Sequence, residues 1–312
     1  MKKMANIRDI ARLTGYSVST VSRVINQHPY VSEEKRQHIL RVMKELNYIP
    51  NSTARQLSYG KTKNIGVIIP FTNHPYFDQL LSGITKAAFE SQYKVTLLPT
   101  NYDSAIETDY LDQFAAKEFD GLIITSRANA FEKILSYQQY GPIIFCEDLD
   151  EENIGCVFID RERSIREGLL YLRDQGCQKI GVTLGRSGKL SKNSKITVRL
   201  CQELLPNFQA EDILWDCLDF ADGQRAGNYF ANKGVDGIFT NGDGVAAGIV
   251  DTLEEAAPLL VGRDNLIISK FLNITTIDHH LPLCGEYAFK LFITNSQEHL
   301  RVPYTFIKRN AL

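Results

Sequence analysis

The residues best suited to chemistry near the start of the chain are the short polar side chains and one arginine within residues 17–26. One face of this segment carries apolar residues at helical spacing: Val18, Val21, Val24 and Ile25. The opposite face carries hydroxyls, an amide and a guanidinium: Ser19, Thr20, Ser22, Arg23 and Asn26. Such groups hydrogen-bond to phosphates and to base edges. The pattern therefore predicts a helix whose outward face contacts nucleic acid.

Neighbouring segments are predicted to hold this helix in a small three-helix head. The helix before it ends at Gly15, and Ser17 is placed to cap the second helix through its hydroxyl. The third helix begins after Ser32, which is placed as its cap, and Pro50 stops it. Two short helices joined by a tight turn that contains glycine form a helix-turn-helix. A three-helix packing unit that binds no DNA is the alternative that this pattern leaves open.

Charge separates this head from the rest of the chain. Residues 1–63 contain twelve Lys or Arg and four Asp or Glu, which gives a net charge of +8. The remainder contains 23 basic and 33 acidic residues, and the whole chain carries −2. A basic module on an acidic body is typical of a head that binds a polyanion. The charge distribution therefore favours DNA binding over simple packing.

Dense runs at fixed spacing occur in segments 7–11, 17–26, 31–32, 46–51 and 54–57. In these runs the chain resembles the lactose-repressor/purine-repressor (LacI/GalR) family of bacterial transcription regulators, and the resemblance continues more loosely to about residue 308. It implies a DNA-binding repressor that acts as a homodimer on operator DNA. It also implies that Val18, Ser19 and Arg23 contact bases. The candidate DNA contacts of the head are Ile7, Ser17, Val18, Ser19, Thr20, Ser22, Arg23, Asn26 and Ser32.

Residues 51–58 follow the third helix directly and are too few to form a stable helix in isolation. The resemblance implies that they form a hinge helix on operator DNA, with Leu57 entering the minor groove. Ala54 is small enough for two hinge helices to approach closely, and Arg55 can reach minor-groove acceptors or phosphates. Asn51, Ala54, Arg55 and Leu57 are therefore further candidate DNA contacts. A plain flexible linker is the alternative.

Length and composition indicate a globular protein. With 312 residues, of which 44% are hydrophobic, the chain is expected to form two or three domains. We expect no membrane span, because no run of about 18 apolar residues occurs. We also expect a cytoplasmic protein, because the first residues lack the apolar core of a secretory signal. The six cysteines include no CxxC pair, which indicates reduced thiols rather than disulfides or a metal site.

Strand-like and helix-like patterns alternate from residue 64 onward. Short apolar runs predict strands at 64–70, 94–99, 120–125, 143–146, 157–160, 179–184, 237–240 and 266–269. Apolar faces predict helices at 76–91, 104–117, 131–140, 161–175, 194–205, 222–233, 243–255 and 281–296. Repeated strand–helix units of this spacing form doubly wound parallel sheets. The predicted fold class is thus an all-α helix-turn-helix head joined to a two-lobed α/β core.

The predicted domains are a helix-turn-helix domain at 1–50, a hinge helix and linker at 51–60, and a core at 61–312. Lobe 1 of the core takes about 61–156 with 281–303, and lobe 2 takes about 157–280 with the C-terminal end. The resemblance implies that this core is similar to periplasmic sugar-binding proteins. Ligands bind at the strand ends of such sheets. We therefore expect a small effector, a sugar or related metabolite, in the cleft between the lobes.

Candidate ligand contacts follow from the resemblance, one position at a time. The loop at 71–77 supplies Asn73 for amide hydrogen bonds, and Tyr76 and Phe77 for contact with a ring. Asp243 matches the family's cleft aspartate, although an Asp that precedes a helix is also an ordinary N-cap. Phe220 lies near another cleft position.

Two segments depart from the family pattern. The family has an arginine where the helix near residue 194 begins, whereas here either Lys195 or Arg199 could be the cationic contact. Later, residues 268–273 stand where the family has a Gly-Tyr-Asp-Asn-like turn, and segment 258–275 is short. These departures predict an unusual effector or weakened ligand binding.

Other classes of function have less support in the sequence. A solute-binding protein of a transport system is the alternative for a two-lobed core, but the basic head and the missing export signal argue against it. An enzyme is not predicted, because no GxGxxG follows the first strand and no Walker loop or nucleophile elbow is present. The adjacent His279 and His280 lack the spacing of a metal site. We expect no cofactor and no metal.

Overall fold

The chain forms two compact units, residues 1–62 and residues 63–312. The computed structural model describes residues 5–49, 60–149, 153–187 and 191–309. The first unit is a helical head, and the second is an α/β core. No helix within these ranges is both long and apolar enough to cross a membrane.

Three helices form the head: α1 (Ile7–Thr14), α2 (Val18–Ile25) and α3 (Glu33–Glu45). Asn6 caps α1 with its side chain, and Gly15 ends α1 at a φ of 72°, a left-handed conformation that glycine adopts without strain. The Ser17 hydroxyl accepts a hydrogen bond from the backbone N–H of Thr20 at 3.2 Å, as a cap of α2 should. The prediction of a helix-turn-helix is confirmed.

The third helix starts differently from the prediction. Ser32 occupies the N-cap position of α3, but its side chain makes no capping hydrogen bond, so the prediction of a hydroxyl cap is wrong. Glu33 and Glu34 lie in the first turn instead, where negative charge favours a helix N-terminus. All three helices contribute to one small apolar core: Ile10, Ala11, Val21, Val24, Ile39 and Val42. This core holds α2 with its polar face outward.

Twelve strands and nine α-helices form the described part of the core. The strands are β1 (Asn64–Ile69), β2 (Lys94–Pro99), β3 (Leu122–Ile124), β4 (Ile143–Phe145), β5 (Cys156–Ile159), β6 (Ile180–Thr183), β7 (Ile213–Leu214), β8 (Gly237–Phe239), β9 (Leu259–Arg263), β10 (Thr275–Asp278), β11 (His299–Val302) and β12 (Thr305–Ile307). The helices are α4 (Pro75–Glu90), α5 (Ser104–Ala115), α6 (Phe131–Leu135), α7 (Arg161–Asp174), α8 (Lys192–Leu204), α9 (Phe220–Phe230), α10 (Asp243–Leu253), α11 (Ile267–Phe271) and α12 (Leu281–Thr294).

Each lobe is built on one six-stranded sheet. The first sheet has the order β11-β5-β4-β3-β1-β2, and the second has β12-β10-β9-β8-β6-β7. The pairings are parallel except for β10 with β12, as expected for doubly wound lobes. The described chain passes between the sheets after β5, after β10 and after β11. The carboxyl ends of strands from both lobes therefore border one cleft.

The core differs from the sequence prediction in several features. Strands β7, β10, β11 and β12 were not predicted. The strand predicted at 266–269 is wrong: α11 lies there, and the strand is β9, at Leu259–Arg263. Ile267 is 66% exposed and Phe271 is 79% exposed, so these apolar residues mark a surface helix rather than a buried strand. The boundary between the lobes also shifts, because β5, which was expected to open lobe 2, pairs with β4 and β11 in the first sheet.

Helices α4 and α12 touch through their backbones. A Cβ atom on Gly83 would lie 1.8 Å from the carbonyl oxygen of Pro282, and one on Gly285 would lie 2.1 Å from that of Leu80. Real side chains do not tolerate such distances, so glycine is required at this crossing. Through it α12, which follows lobe 2 in the sequence, packs against lobe 1.

We expect Gly83→Ala to lower the free energy of unfolding of the core by roughly 2–3 kcal/mol, because the two helices must separate. Gly244→Ala is the matched control: a Cβ there meets nothing within 4 Å, and alanine should stabilise α10 by about 0.5–1 kcal/mol. Urea unfolding followed by circular dichroism measures both changes. An unchanged midpoint for Gly83→Ala would contradict the close crossing.

Candidate nucleic-acid interface and inter-lobe cavity

The outward face of α2 presents the polar groups that were predicted to contact nucleic acid. The exposed polar residues on it are Ser17, Ser19 and Arg23. Val18, which was predicted on the apolar face of the helix, is 43% exposed and lies with them. Half-buried at the edges of this face are Thr20, Ser22 and Asn26. The Ser17 Oγ lies 2.8 Å from the Ser19 Oγ, so these hydroxyls form a local network. The ion pairs within the described head are Arg12–Asp9 and Arg36–Glu33, so Arg23 has no carboxylate partner there and its guanidinium is available to an outside acceptor.

The remaining predicted DNA contacts lie away from this face or outside the described residues. Ile7 is half-buried against the core of the head, and Ser32 is exposed at the start of α3. The predicted hinge contacts fall outside the described residues: Asn51, Ala54, Arg55 and Leu57. The DNA-contact roles of all these residues stay predictions.

A cavity of about 690 Å³ lies between the two lobes of the core. Its aromatic lining consists of Phe71, Tyr76, Phe77, Tyr102 and Phe158. Its uncharged polar lining includes Thr125, Ser126, Asn193, Ser194 and Asn241. Apolar walls with a few placed polar groups, at this volume, are typical of a site for a small molecule.

Two arginines of lobe 2 contact aromatic rings of lobe 1 across this cavity. The Arg186 guanidinium lies 3.3 Å from the centre of the Tyr102 ring. Arg161 donates a hydrogen bond to the Tyr76 hydroxyl at 2.7 Å. Burial raises the pKa of Tyr76 to about 12, and the Arg161 charge opposes that shift, so Tyr76 remains a neutral phenol. These contacts bring positive charge to the wall of the cavity.

Two further polar contacts join the lobes. The Lys192 ammonium donates to the Asp148 carbonyl oxygen at 2.9 Å and lies 3.7 Å from its carboxylate. The Gln79 amide donates to the Asp264 carbonyl oxygen at 2.9 Å. Exposed ion pairs such as Lys192–Asp148 contribute only about 0–1 kcal/mol. The Lys192–Asp148 pair therefore opposes a ligand-induced change in the relative position of the lobes only weakly.

Two of the seven predicted ligand contacts, Tyr76 and Phe77, line the cavity. The other five lie outside the lining: Asn73, Lys195, Arg199, Phe220 and Asp243. Lys195 and Arg199 are exposed on α8, and Arg199 pairs with Glu162 at 2.6 Å. Because α8 begins at Lys192, its first residues border the cavity and the next turn points elsewhere.

Asp243 is fully buried beneath the cavity instead of lining it. Its carboxylate accepts hydrogen bonds from the Thr276 hydroxyl at 2.6 Å and from the Leu266 backbone N–H at 2.7 Å. It is also not the N-cap of α10, a position that Gly242 occupies. Asp243 thus ties α10 to β10 and to the loop that carries Asp264 into the cavity.

Burial shifts two titrating groups in this region in opposite directions. It raises the pKa of Asp243 to about 7, and the charge of Asp264 adds to that shift. It lowers the pKa of His279, whose ring lies 3.7 Å from the Asp264 carboxylate, to about 4. At neutral pH His279 is therefore uncharged, and Asp243 is partly protonated.

Asp243 is expected to lower the free energy of unfolding as the pH rises, because its pKa is higher in the folded than in the unfolded chain. We expect Asp243→Asn to remove this pH dependence. The unfolded chain releases the proton of Asp243 near pH 3.8, whereas the folded protein keeps it up to about pH 7. The contribution of Asp243 to the free energy of unfolding is therefore complete below pH 3.8 and is lost as the pH rises to about 7. His279 acts in the opposite sense between about pH 4 and 6.5 and partly cancels this trend in the unmodified protein.

Subtracting the unfolding free energy of the unmodified protein from that of Asp243→Asn isolates the carboxyl group. This difference should rise by at most about 1.4 kcal/mol per pH unit between about pH 4 and 7. Urea unfolding at several pH values in that window measures it. A difference that stays constant with pH would show that Asp243 does not hold the proton.

Four arginines that line the cavity were not predicted from the sequence: Arg161, Arg186, Arg263 and Arg301. Arg161 and Arg186 come two and three residues after the ends of β5 and β6. The general rule that ligands bind at the carboxyl ends of parallel strands could have identified both. Arg263 ends β9, the strand that was predicted in the wrong place, so it carried no usable signal. No cluster of metal-binding side chains occurs within the described ranges.

Two family models match this chain. One, described as periplasmic binding proteins and sugar binding domain of LacI family, matches residues 62–309. The other, described as bacterial regulatory proteins, lacI family, matches residues 6–51. Catabolite control protein B of Bacillus subtilis (strain 168) is 42% identical over 98% of this chain and 100% of its own length.

Solved structures share the fold. A lac repressor dimer bound to operator and the anti-inducer ONPF matches with a TM-score of 0.81 and 23% identity, covering 98% of each chain. A LacI family regulator from Enterococcus faecium with bound ribose matches with a TM-score of 0.69 and 22% identity, over 80% of this chain and 98% of that one. The predicted fold class, a helix-turn-helix head with a two-lobed α/β core, is confirmed.

Proposed function

The chain belongs to the LacI family of bacterial regulatory proteins, and we propose that it is a repressor whose operator affinity is set by a small molecule. One observation carries the proposal. A helix-turn-helix with an exposed polar face and a two-lobed core with a cavity occur in the same chain. The head supplies DNA contacts, and the cavity supplies a site through which a metabolite acts on them.

The head binds DNA by two kinds of contact. Its positive charge attracts the phosphate backbone and supplies affinity that falls with salt. The exposed face of α2 supplies discrimination, since Val18, Ser19 and Arg23 reach base edges when α2 lies in the major groove. One head offers little surface, so two copies of the chain bind a two-fold operator as a homodimer.

The core senses a small molecule through the relative position of its lobes. Tyr76, Phe77 and Tyr102 offer aromatic faces from lobe 1, and Arg186 and Asn193 offer hydrogen bonds from lobe 2. A ligand that touches both lobes favours one arrangement. It changes operator affinity only as far as it binds the two arrangements differently.

The competing class is a solute-binding protein, which shares the two-lobed core. The match of residues 6–51 to a regulatory head favours the repressor. We propose no catalytic activity, because the matching families and the Bacillus subtilis relative are regulators or binding proteins. The repressor acts in the cytoplasm, where operator DNA is accessible.

A gel shift with the full chain on fragments of its own upstream region tests the proposal. We expect retention of one fragment in the presence of excess unrelated DNA and loss of retention on a scrambled fragment of equal length. A solute-binding protein predicts no specific retention. Equal affinity for the native and scrambled fragments would contradict the proposed function.

A further inference from the structure

The ion pairs around the cavity leave positive charge uncompensated at its wall. Among the described residues five carboxylates line the cavity, and four of them have a cationic partner. The pairs are Glu147–Arg127 at 2.5 Å, Asp148–Lys192 at 3.7 Å, Asp160–Arg301 at 3.3 Å and Glu162–Arg199 at 2.6 Å. In the part of the lining that the structure describes, the Asp264 carboxylate alone remains to balance the other cations.

Those remaining cations are Arg161, Arg186 and Arg263. Within the described ranges none of them forms an ion pair with a carboxylate. Arg161 donates to a phenol and Arg186 stacks on a ring. Arg263 donates to the Thr240 carbonyl oxygen at 3.1 Å and to the Asn241 side chain at 2.8 Å. Three guanidinium groups therefore face one unpaired carboxylate.

Arg263 is the buried member of this group of unpaired arginines, so its charge is the least hydrated of the three. It is only 2% exposed, and burial lowers its pKa to about 10, so it still carries its charge at neutral pH. Within the described residues no carboxylate forms an ion pair with this buried charge. The charges of Asp264 and Asp243 raise its pKa, but burial outweighs them, so the water that Arg263 has lost is only partly replaced. The two hydrogen bonds above use two of its five N–H donors. An anion that enters the cavity would restore the balance.

Two buried polar atoms in the lining also lack a hydrogen-bond partner in the described structure: His74 Nδ1 and Asn193 Oδ1. They come from opposite lobes. Buried polar atoms normally have partners, so these two indicate groups that a ligand can satisfy. Hydroxyls suit both, since a hydroxyl donates and accepts. The aromatic walls suit the carbon face of a ring or chain.

We propose that the effector is a small polyhydroxy anion, a sugar bearing a phosphate or carboxylate group, whose anionic group binds among Arg161, Arg186 and Arg263. This inference rests on the proposed function, because it names the ligand class of the same cavity. A neutral sugar can meet the hydroxyl partners but leaves the guanidinium charge unbalanced. Arginine suits the anionic group because its planar fork binds phosphate and carboxylate through paired hydrogen bonds.

Calorimetry of the full chain with matched ligands tests the class of effector. Glucose is compared with glucose 6-phosphate and gluconate, ribose with ribose 5-phosphate, and inorganic phosphate serves as the bare anion. We expect at least one anionic sugar to bind about tenfold or more tightly than its neutral twin and than inorganic phosphate, since charged hydrogen bonds each contribute roughly 1.5–3 kcal/mol. The ratio of the Kd values for glucose 6-phosphate and gluconate shows whether the site prefers a phosphate or a carboxylate group.

Arg161→Gln and Arg186→Gln test the assigned residues. Each substitution should weaken binding of the anionic sugar about tenfold and change the affinity for the matching uncharged sugar little. Arg173→Gln is the matched control, because Arg173 is exposed on α7 and lies outside the cavity lining. Its ion pair in the described part of the chain is with Asp174. Unchanged anion affinity in both cavity variants would overturn the assignment.

The outcomes separate this inference from the proposed function. Neutral sugars that bind as tightly as their anionic twins, and that change operator affinity, would overturn the inference and leave the repressor intact. Inorganic phosphate that binds as tightly as a sugar phosphate would overturn the polyhydroxy requirement. Operator binding that fails in the gel shift would overturn the proposed function whatever the ligands do. Specific operator binding with no ligand effect from any compound would overturn the inference alone.

Discussion

Replacing Arg23 by alanine is expected to flatten base preference at one position of each operator half-site. Arg23 is the guanidinium on the exposed face of α2, and no carboxylate within the described chain competes for it. A bidentate arginine–guanine pair contributes roughly 1–3 kcal/mol of discrimination, and a dimer loses two such contacts. Selection of binding sites from random DNA measures this. The variant should return the remaining positions of the motif with one symmetric pair of positions degenerate.

Arg41→Ala is the matched control, because it removes the same charge from an exposed position on α3. Loss of one charge should change affinity for specific and unrelated DNA by the same factor, since phosphate contacts carry no sequence information. If Arg23→Ala returned the unmodified motif, or behaved like Arg41→Ala, Arg23 would not be a base contact.

Replacing Tyr102 by alanine is expected to weaken effector binding by roughly 10- to 100-fold and to remove most of the effector's influence on operator affinity. The Tyr102 ring lies under Arg186 at 3.3 Å and meets Phe71 edge to face at 5.3 Å. Removing the ring therefore removes one aromatic wall and the surface against which Arg186 rests. Operator binding without effector should change little, because Tyr102 belongs to the core unit.

Tyr102→Phe separates the ring from its hydroxyl. Phenylalanine keeps the stacking with Arg186 and loses only the hydrogen bond between the Tyr102 hydroxyl and Ser126 at 3.2 Å. We expect a few-fold change in effector affinity at most, in line with one neutral hydrogen bond of about 1 kcal/mol. Calorimetry with the same ligand on both variants measures the difference. Equal losses in Tyr102→Phe and Tyr102→Ala would contradict a role for the ring.

The head was predictable because its signals are local. Gly15 and Ser17 determine the turn and the cap through contacts within a few residues, and the apolar spacing determines which face of α2 is buried. The failure at Ser32 is instructive. A serine at an N-cap position can cap the helix, but whether its hydroxyl turns inward depends on a rotamer that no sequence pattern reports.

The cavity was less predictable because it depends on contacts between distant segments. Asp243 looked like a ligand contact from its motif, but Thr276 and the Leu266 N–H, both beyond the next strand, occupy its carboxylate. Arg186 becomes part of the site only through Tyr102, which lies on the other lobe. Contacts between such distant segments depend on the order of the strands in the two sheets. Because a strand was wrongly predicted at 266–269, the order of the second sheet could not be predicted correctly.

We expect a small molecule bound in the cavity and an operator bound to the head to share a single free energy of coupling. Measuring the effector's Kd on the free protein and on the protein saturated with operator tests it most directly. Linkage requires the two Kd values to differ by the same factor by which saturating effector changes operator affinity. We predict such a matched difference, abolished together in both directions by Tyr102→Ala. Equal effector Kd values with and without operator would contradict regulation through the cavity.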